Sequence, residues 1–443
     1  MKIVFIGAGS GFGAATVADI LSYEALRDCE LVLVDINPTH LEPIGEYARR
    51  VARHHDAPAK ITLEQQWRDG VLDGADAVIT SFAQGGPAYN GVPFHYEMSI
   101  PREYGIHQNI ADTAGFGGVF RLMRTAPELV AIGKDMQQRC PGAWLLNYVN
   151  PMAMLTRTLT MTCPDIRVAG LCHNVQYSIR HLAKRMGCSH KDFVYTAAGV
   201  NHMVWFTRLE YADGRDAYPD VLPAVSDAEN DPWHLPVQLE VLKQFGYWTT
   251  ESSGHCAEYL PYFMPREAER QALEIKPFET TAEVDDTSPR WTEDSDLMQQ
   301  LAGKKPLAVE RSIEYGVRII HAHHTDETER VHLNLLNHGA IENLPDDCCV
   351  EVPVTIDRQG VSRESVGALP AHLAALCRGL ADMQSLASDA FLEKDLLKAF
   401  RACLIDPCTA ASATPHQIRE CFNRLLKAER EWLEPYWGKE LKV

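Results

Sequence analysis

No apolar run in this 443-residue chain approaches the roughly 18 residues that would cross a membrane. The chain also lacks basic excess. Its 60 acidic residues outnumber 42 lysines and arginines, for a formal net charge of −18. Such a field repels phosphate backbones and argues against a nucleic-acid partner, though not against a small anion held locally by arginines. The twelve cysteines include no CxxC pair and follow no regular spacing. Neither a disulfide framework nor a structural zinc finger is therefore expected, and the thiols should be mostly free, as in a reducing cytosol. The adjacent Cys348 and Cys349 read as buried apolar filler. No GxSxG elbow points to a serine hydrolase, and there are no repeats and no low-complexity linker. Glycines interrupt the apolar opening of "MKIVFIGAGSGFGAA" after about six residues, so it does not read as an export signal. A cytoplasmic location is expected.

What is present is ordinary for a globular protein: 46% hydrophobic and 23% charged residues. Through about residue 190, short apolar runs ("KIVFIG", "ELVLVDI", "DAVITSF", "AWLLNYVN", "IRVAGL") alternate with helical stretches. That alternation predicts an α/β fold with a parallel, doubly wound sheet. The pattern then changes. "FVYTAAGVNHMVWFTRLEY" reads as a pair of strands, "YPDVLPAVSDAENDPWHLP" as Pro- and acid-rich loops, and the stretch from "ESVGALPAHL" to "RACLI" as helix. The expected organisation is a dinucleotide-binding domain over residues 1–195 and a second α/β domain over 196–443 that closes over it.

"KIVFIGAGSGFGAATVADIL" has the order strand, glycine turn, helix. Glycines let the backbone approach a pyrophosphate, and the next helix offers its first N–H groups to the anion. Counted from Gly7, the third glycine of GxGxxG falls on Phe12; counted from Gly9, "GSGFGA" fits the variant ending in Ala14. Gly7, Gly9, Ser10 and Gly11 are the candidate cofactor contacts. "LVLVDIN" ends in Asp35, about 22 residues past Gly13. An acid there can hold the ribose 2′-OH, which favours NAD over NADP. The alternative is a glycine turn that binds no nucleotide.

Polar residues follow two of the apolar runs. "NYVNP" places Asn147 and Asn150 beyond a strand's carboxyl end, where ligands of parallel sheets bind. "GLCHNVQ" places Cys172 and His173 at the same rim, and "AAGVNHM" adds His202 thirty residues later. Thiolate with imidazole suits a borderline or softer divalent metal, and two protein ligands leave positions open for substrate. Taken alone, a strand-end cysteine is more often core filler and a lone histidine a satisfied polar residue.

The stretches "VFIGAGS", "DINPTHL", "HQNIADTAGFGGVFRLMRTAP", "LLNYVNPMAM", "GLCHNVQ", "AAGVNHM", "FGYWTTESSGHCAEYLPYF", "ENLPDDCCVEVP", "VGALPAHLAAL" and "DPCTAA" together resemble glycoside hydrolase family 4, the NAD- and manganese-dependent glycosidases. They are most similar to its α-galactosidase branch, and they span nearly the whole chain. The resemblance implies a Rossmann-type domain in a lactate/malate dehydrogenase-like architecture, with NAD⁺ and Mn²⁺ or another divalent metal as cofactors. It implies Cys172 and His202 as metal ligands, Asn150 as a sugar contact, Asp112 near metal and sugar, and Tyr259, in preference to Tyr262, as the base. His173 stands where the phospho-α-glucosidase branch has an aspartate acid, and is the candidate acid. A homodimer or homotetramer acting on a small glycoside is expected.

The chemistry so implied is oxidation, elimination, addition and reduction at the sugar, with NAD⁺ restored at the end; family 4 departs from the usual pair of carboxylates. Two departures from the α-galactosidase pattern lie near the expected sugar pocket. Asn174 stands where that branch has serine, and Tyr177–Ser178 where it has a smaller pair. Glucose or a uronic acid thus stays open as the sugar beside galactose, while the missing "CD" signature argues against phosphorylated substrates. "HAHHTDE", His321 to Glu327, imitates a metal cluster but reads as a solvated loop. A plain NAD-dependent 2-hydroxy acid dehydrogenase would need a catalytic His–Asp pair that the sequence does not place. A non-catalytic NAD sensor would tolerate replacement of His202.

Overall fold

The computed structural model describes residues 1–86, 89–226, 235–283 and 291–443. The five apolar runs of the first half become the buried centre of a sheet. Its strands are β1 (Lys2–Ile6), β2 (Glu30–Val34), β3 (Lys60–Glu64), β4 (Ala77–Thr80), β5 (Trp144–Asn147) and β6 (Arg167–Gly170). They lie in the order 3-2-1-4-5-6, all parallel. β1, β4 and β5 are buried almost end to end, as strands covered by helices on both faces must be. This is the doubly wound Rossmann order, whose ligand crevice lies beyond the carboxyl ends of the strands.

The second half extends the same sheet. It contributes β7 (Phe193–Val200), β8 (Met203–Tyr211), β9 (Glu329–Leu336), β10 (Cys349–Asp357) and β11 (Gly360–Arg363). Past β6 the order continues β9-β10-β7-β8, with β11 on β10 and antiparallel pairing throughout. Two joints rest on single residue pairs, Gly170 with Asn334 and Glu351 with Gly199. The division at residues 195 and 196 runs through β7, because the chain passes from one half to the other without leaving the sheet.

Two local expectations differ from what forms. "HAHHTDE" is not a loop: His321 to Thr325 end the helix Gly316–Thr325, whose apolar face (Val317, Ile319, Ile320) is buried. The Pro- and acid-rich stretch is partly helical, as Tyr218–Ser226 and from Pro236 onward; residues 227–234 lie outside the described ones. The helix Gly115–Arg139 runs through the core, and the carboxyl-terminal helices pack on it, with Phe120 edge-on to Phe422 at 5.1 Å. All twelve cysteines are free, and Cys348 and Cys349 are buried. Among the described residues, no helix is long and apolar enough to cross a membrane.

Candidate active site

The glycine loop joins β1 to the helix Gly13–Ser22. Gly7 donates to the Val34 carbonyl at 2.8 Å and adopts φ +85°. A Cβ on Gly7 would lie 1.9 Å from the Ser81 carbonyl oxygen, so this position admits no side chain. A Cβ on Gly9 would meet the Asp35 carboxylate at 2.7 Å and His40 Cβ at 2.6 Å. Ser10 donates its N–H to the Gly7 carbonyl at 3.0 Å, and Gly11 is exposed. No side chain caps the helix at Phe12, and Gly13 N donates to the Ser10 carbonyl at 3.1 Å. Asp35 follows β2 directly and accepts from Gly9 N at 2.8 Å and Asn37 N at 2.9 Å. A bare glycine cradle, an uncapped helix end and an oriented acid fit a dinucleotide.

At the carboxyl ends of β5 and β6 the two asparagines part. Asn147 turns inward: it is fully buried, accepts from Thr80 Oγ1 at 2.9 Å and donates to the Val149 carbonyl at 2.9 Å. It staples the turn after β5. Asn150 instead donates to Asp112 Oδ2 at 2.7 Å.

Cys172 sits two residues past β6, with its backbone held by Tyr315. His202 is the second residue of the two-residue turn between β7 and β8, at φ +64°. A non-glycine residue in the left-handed region is uncommon and marks a constrained position. Donor atoms of Cys172, His202 and Glu251 lie within 4.8 Å of one another, as do those of Asp112, His202 and His255. His202 Nδ1 shares hydrogen bonds with the Tyr259 hydroxyl at 2.9 Å and Thr113 Oγ1 at 3.1 Å. Tyr259 is buried, whereas Tyr262 is 45% exposed and packs on Phe245 and Phe263. The structure thus gathers Asp112, Asn150, Cys172, His202 and Tyr259. His173 lies beside the cluster: its Nδ1 pairs with Glu314 at 2.9 Å and its ring lies 6.2 Å from that of Phe12 in the glycine loop.

Two further members, Glu251 and His255, escaped the sequence reading. Asn174 donates to Glu251 at 2.5 Å. His255 lies between two carboxylates, 3.0 Å from Glu251 and 3.7 Å from Asp112. The legible signal was spacing: Glu251, His255 and Tyr259 recur every fourth residue, one face of the helix Ser253–Tyr259 and its approach. That helix is short, and Ser252 caps it by accepting from His255 N.

The electrostatics fit a dication. Burial raises the Cys172 thiol well above its ordinary range, and the carboxylates of Glu351 and Glu251 add to that. Burial lowers the His202 imidazole. Burial alone would raise Asp112 and Glu251, but histidine contacts outweigh it: chiefly His255 for Asp112, and both His202 and His255 for Glu251. Those two carboxylates in turn overcome burial at His255 and hold it well above the usual histidine range. Two buried carboxylates therefore share the His255 imidazolium. A soft-and-hard donor set of this kind suits a divalent cation, whose charge would stabilise the thiolate.

These features define a Rossmann-type α/β protein with a buried thiol–imidazole–carboxylate cluster at its strand ends. The chain belongs to the family 4 glycosyl hydrolases: that family's model matches residues 2–188, and the model of its C-terminal domain matches residues 197–409. It is 36% identical to an alpha-galactosidase of Bacillus subtilis, covering 98% of this chain and 99% of that protein. It is 31% identical to an alpha-galactosidase of Rhizobium meliloti, covering 98% and 89%. Relatives named alpha-glucosidase, from Erwinia rhapontici, and alpha-galacturonidase, from Lachnoclostridium phytofermentans, match over similar lengths at 27% and 26%. The fold is shared with a 6-phospho-alpha-glucosidase from gut microorganisms, solved with NAD and Mn²⁺ (TM-score 0.81, 20% identity, 97% and 98% of the chains). It is also shared with malate dehydrogenase of Cryptosporidium parvum (TM-score 0.52, 14%, 88% and 99%).

Proposed function

We propose that the protein hydrolyses α-galactosides, using NAD⁺ and a divalent metal, Mn²⁺ in the first instance. The observation that carries this reading is the Cys172–His202–Glu251 cluster, set at the rim of a dinucleotide fold in a chain whose most similar relatives include two alpha-galactosidases. Gly7, Gly9, Ser10 and Gly11 cradle the pyrophosphate, and Asp35 holds the adenosine ribose. Cys172 and His202 hold the metal, with Glu251 as a third donor. When bound, these groups supply a reversible hydride acceptor and a Lewis acid for the sugar's oxygens.

The chain's own residues do the rest. Asn150 and Asp112 bind sugar hydroxyls; their mutual hydrogen bond fixes both. Tyr259 takes the proton from C2. Burial pushes its phenol well above 10, with the carboxylates of Glu258, Asp112 and Glu251 adding to the effect. Positive charge at the cluster is what would bring it down. His173 donates a proton to the departing oxygen. Burial would lower it, but the Glu314 carboxylate more than compensates and keeps it protonated to higher pH than an ordinary histidine. The substrate is a small glycoside, and the active species is a homodimer or homotetramer.

The test is a panel of p-nitrophenyl α- and β-glycosides, including galactoside, glucoside and galacturonide, with Mn²⁺, NAD⁺ and a reducing thiol omitted in turn. Hydrolysis fastest on α-galactoside and dependent on all three is the expected result. Faster turnover of the galacturonide or glucoside would reassign the sugar. NADH accumulation on simple hydroxy acids without glycoside cleavage would overturn the reading.

A further inference from the structure

Glu258 is buried, and the reaction just described does not use it. It stands one residue before Tyr259, on the helix that also carries His255. Its carboxylate enters the loop that precedes Asp112. There Oε2 accepts from Asn109 N at 2.6 Å and from Ile110 N at 2.8 Å. Ala111 N approaches both oxygens, at 3.2 and 3.3 Å. Three consecutive backbone N–H groups thus converge on one side chain, the concave arrangement that proteins use to bind anions. Here the acceptor is the protein's own carboxyl group, which burial pushes up to about 7.

The capture has a geometric cost at the next residue. Ala111 adopts φ +55°, a conformation that an alanine favours only when its surroundings impose it. The turn at Ala111 delivers Asp112, which then receives the Tyr89 hydroxyl at 2.7 Å, the Asn150 amide at 2.7 Å and the Thr113 hydroxyl at 2.9 Å, and faces His255. The same helix therefore sets both sides of the site: Tyr259 by its own backbone, and Asp112 through the Glu258 carboxylate.

We propose that Glu258 is a positioning residue for the sugar-binding loop, gathering the amides of residues 109–111 so that Asp112 meets substrate and metal in register with Tyr259. The proposal rests on the function assigned above. No substrate contact is attributed to Glu258; beside its hold on the loop, its charge raises the Tyr259 phenol. Displacement of a binding group by about 1 Å is enough to lower turnover by about a hundredfold.

Two variants test it. In Glu258→Gln the amide NH₂ replaces one acceptor oxygen opposite the same N–H groups. In Glu258→Ala the three amides are left facing a vacated carboxylate site. Both are measured as full-length protein with saturating NAD⁺ and Mn²⁺ on the best glycoside of the wild type. The expected result is a fall in kcat of about a hundredfold with KM changed less than about threefold. Amide hydrogen exchange at residues 109–112 should accelerate, while exchange in β1 to β6 stays as in the wild type. Formate should restore part of the activity of Glu258→Ala in a saturable manner, and formamide should not.

Wild-type kcat in Glu258→Gln, or unchanged exchange at residues 109–112 in either variant, overturns the proposal. So does a loss of activity that formate does not relieve and that matches a loss of folded protein. The exchange measurement needs no turnover. It therefore separates failure of this inference from failure of the proposed function, which would appear as a wild type that cleaves no glycoside.

Discussion

The hydroxyl of Tyr315 closes on both backbone groups of Cys172, accepting from its N–H at 3.0 Å and donating to its carbonyl at 2.9 Å. Tyr315 is fully buried and lies 143 residues away in sequence. Its phenol fixes the peptide that aims the thiol. Tyr315→Phe keeps the ring and removes both bonds, leaving two buried backbone groups without this partner. The expected cost is about 1–3 kcal/mol of stability, with Mn²⁺ bound about 10- to 100-fold more weakly. Denaturant unfolding and calorimetric titration of Mn²⁺ measure the two effects.

Cys172→Ser replaces a thiol by a hydroxyl that does not ionise in the same range. The variant should keep its far-UV spectrum and NAD⁺ affinity and lose metal-dependent turnover. Full Mn²⁺-stimulated hydrolysis by this variant would remove Cys172 from the ligand set.

The glycine loop separates two kinds of damage. A Cβ at Gly7 meets a backbone oxygen at 1.9 Å, and nothing nearby can move away cheaply. A Cβ at Gly9 meets side-chain atoms of Asp35 and His40 at 2.6 to 2.7 Å. Gly7→Ala should therefore lose several kcal/mol or fail to fold, as overpacked and strained sites do. Gly9→Ala should fold, bind NAD⁺ at least tenfold more weakly by displacing Asp35, and recover activity at high NAD⁺. Thermal melts and equilibrium dialysis check the pair.

His332 on β9 is buried, its ring lies parallel to Tyr195 at 5.8 Å, and its Nε2 has no hydrogen-bond partner. Burial, with a smaller effect from Arg330, lowers its pKa from 6.5 to about 3. The unfolded chain takes up this proton as pH falls through 6.5, and the folded chain refuses it until about 3. The contribution of neutral His332 to stability is therefore full above pH 6.5 and declines between 6.5 and 3, by up to about 5 kcal/mol. His332→Phe keeps the ring packing and removes the titration. Its unfolding free energy should fall less steeply than the wild type's over that window in denaturant titrations.

Local order in the sequence was enough for the cofactor half. Strand, glycine loop, helix and acid occur within about 35 residues, and fully buried parallel strands read as plain apolar runs. Cys172 and His202 were legible because each follows an apolar strand at the rim where such sheets bind ligands. His255 and Glu251 were less so, since their partners Asp112 and Asn174 come from other elements. The two asparagines of "NYVNP" look equivalent in sequence. Only the packing of Thr80 against Asn147 sends one inward, while Asp112 draws the other into the site. "HAHHTDE" shows polar residues to the reader, but its first half is the end of a helix whose apolar residues lie just before it. The β7–β8 pair was legible, but the joints of β6 with β9 and of β10 with β7 were not, because antiparallel pairing between segments more than a hundred residues apart leaves no local period. What the sequence determined on its own is what short-range sterics and hydrophobic periodicity determine: the strands, the glycine turn and the candidate donors. What only tertiary structure decided is which donors converge, because convergence depends on long-range pairings and on buried polar groups finding partners far along the chain.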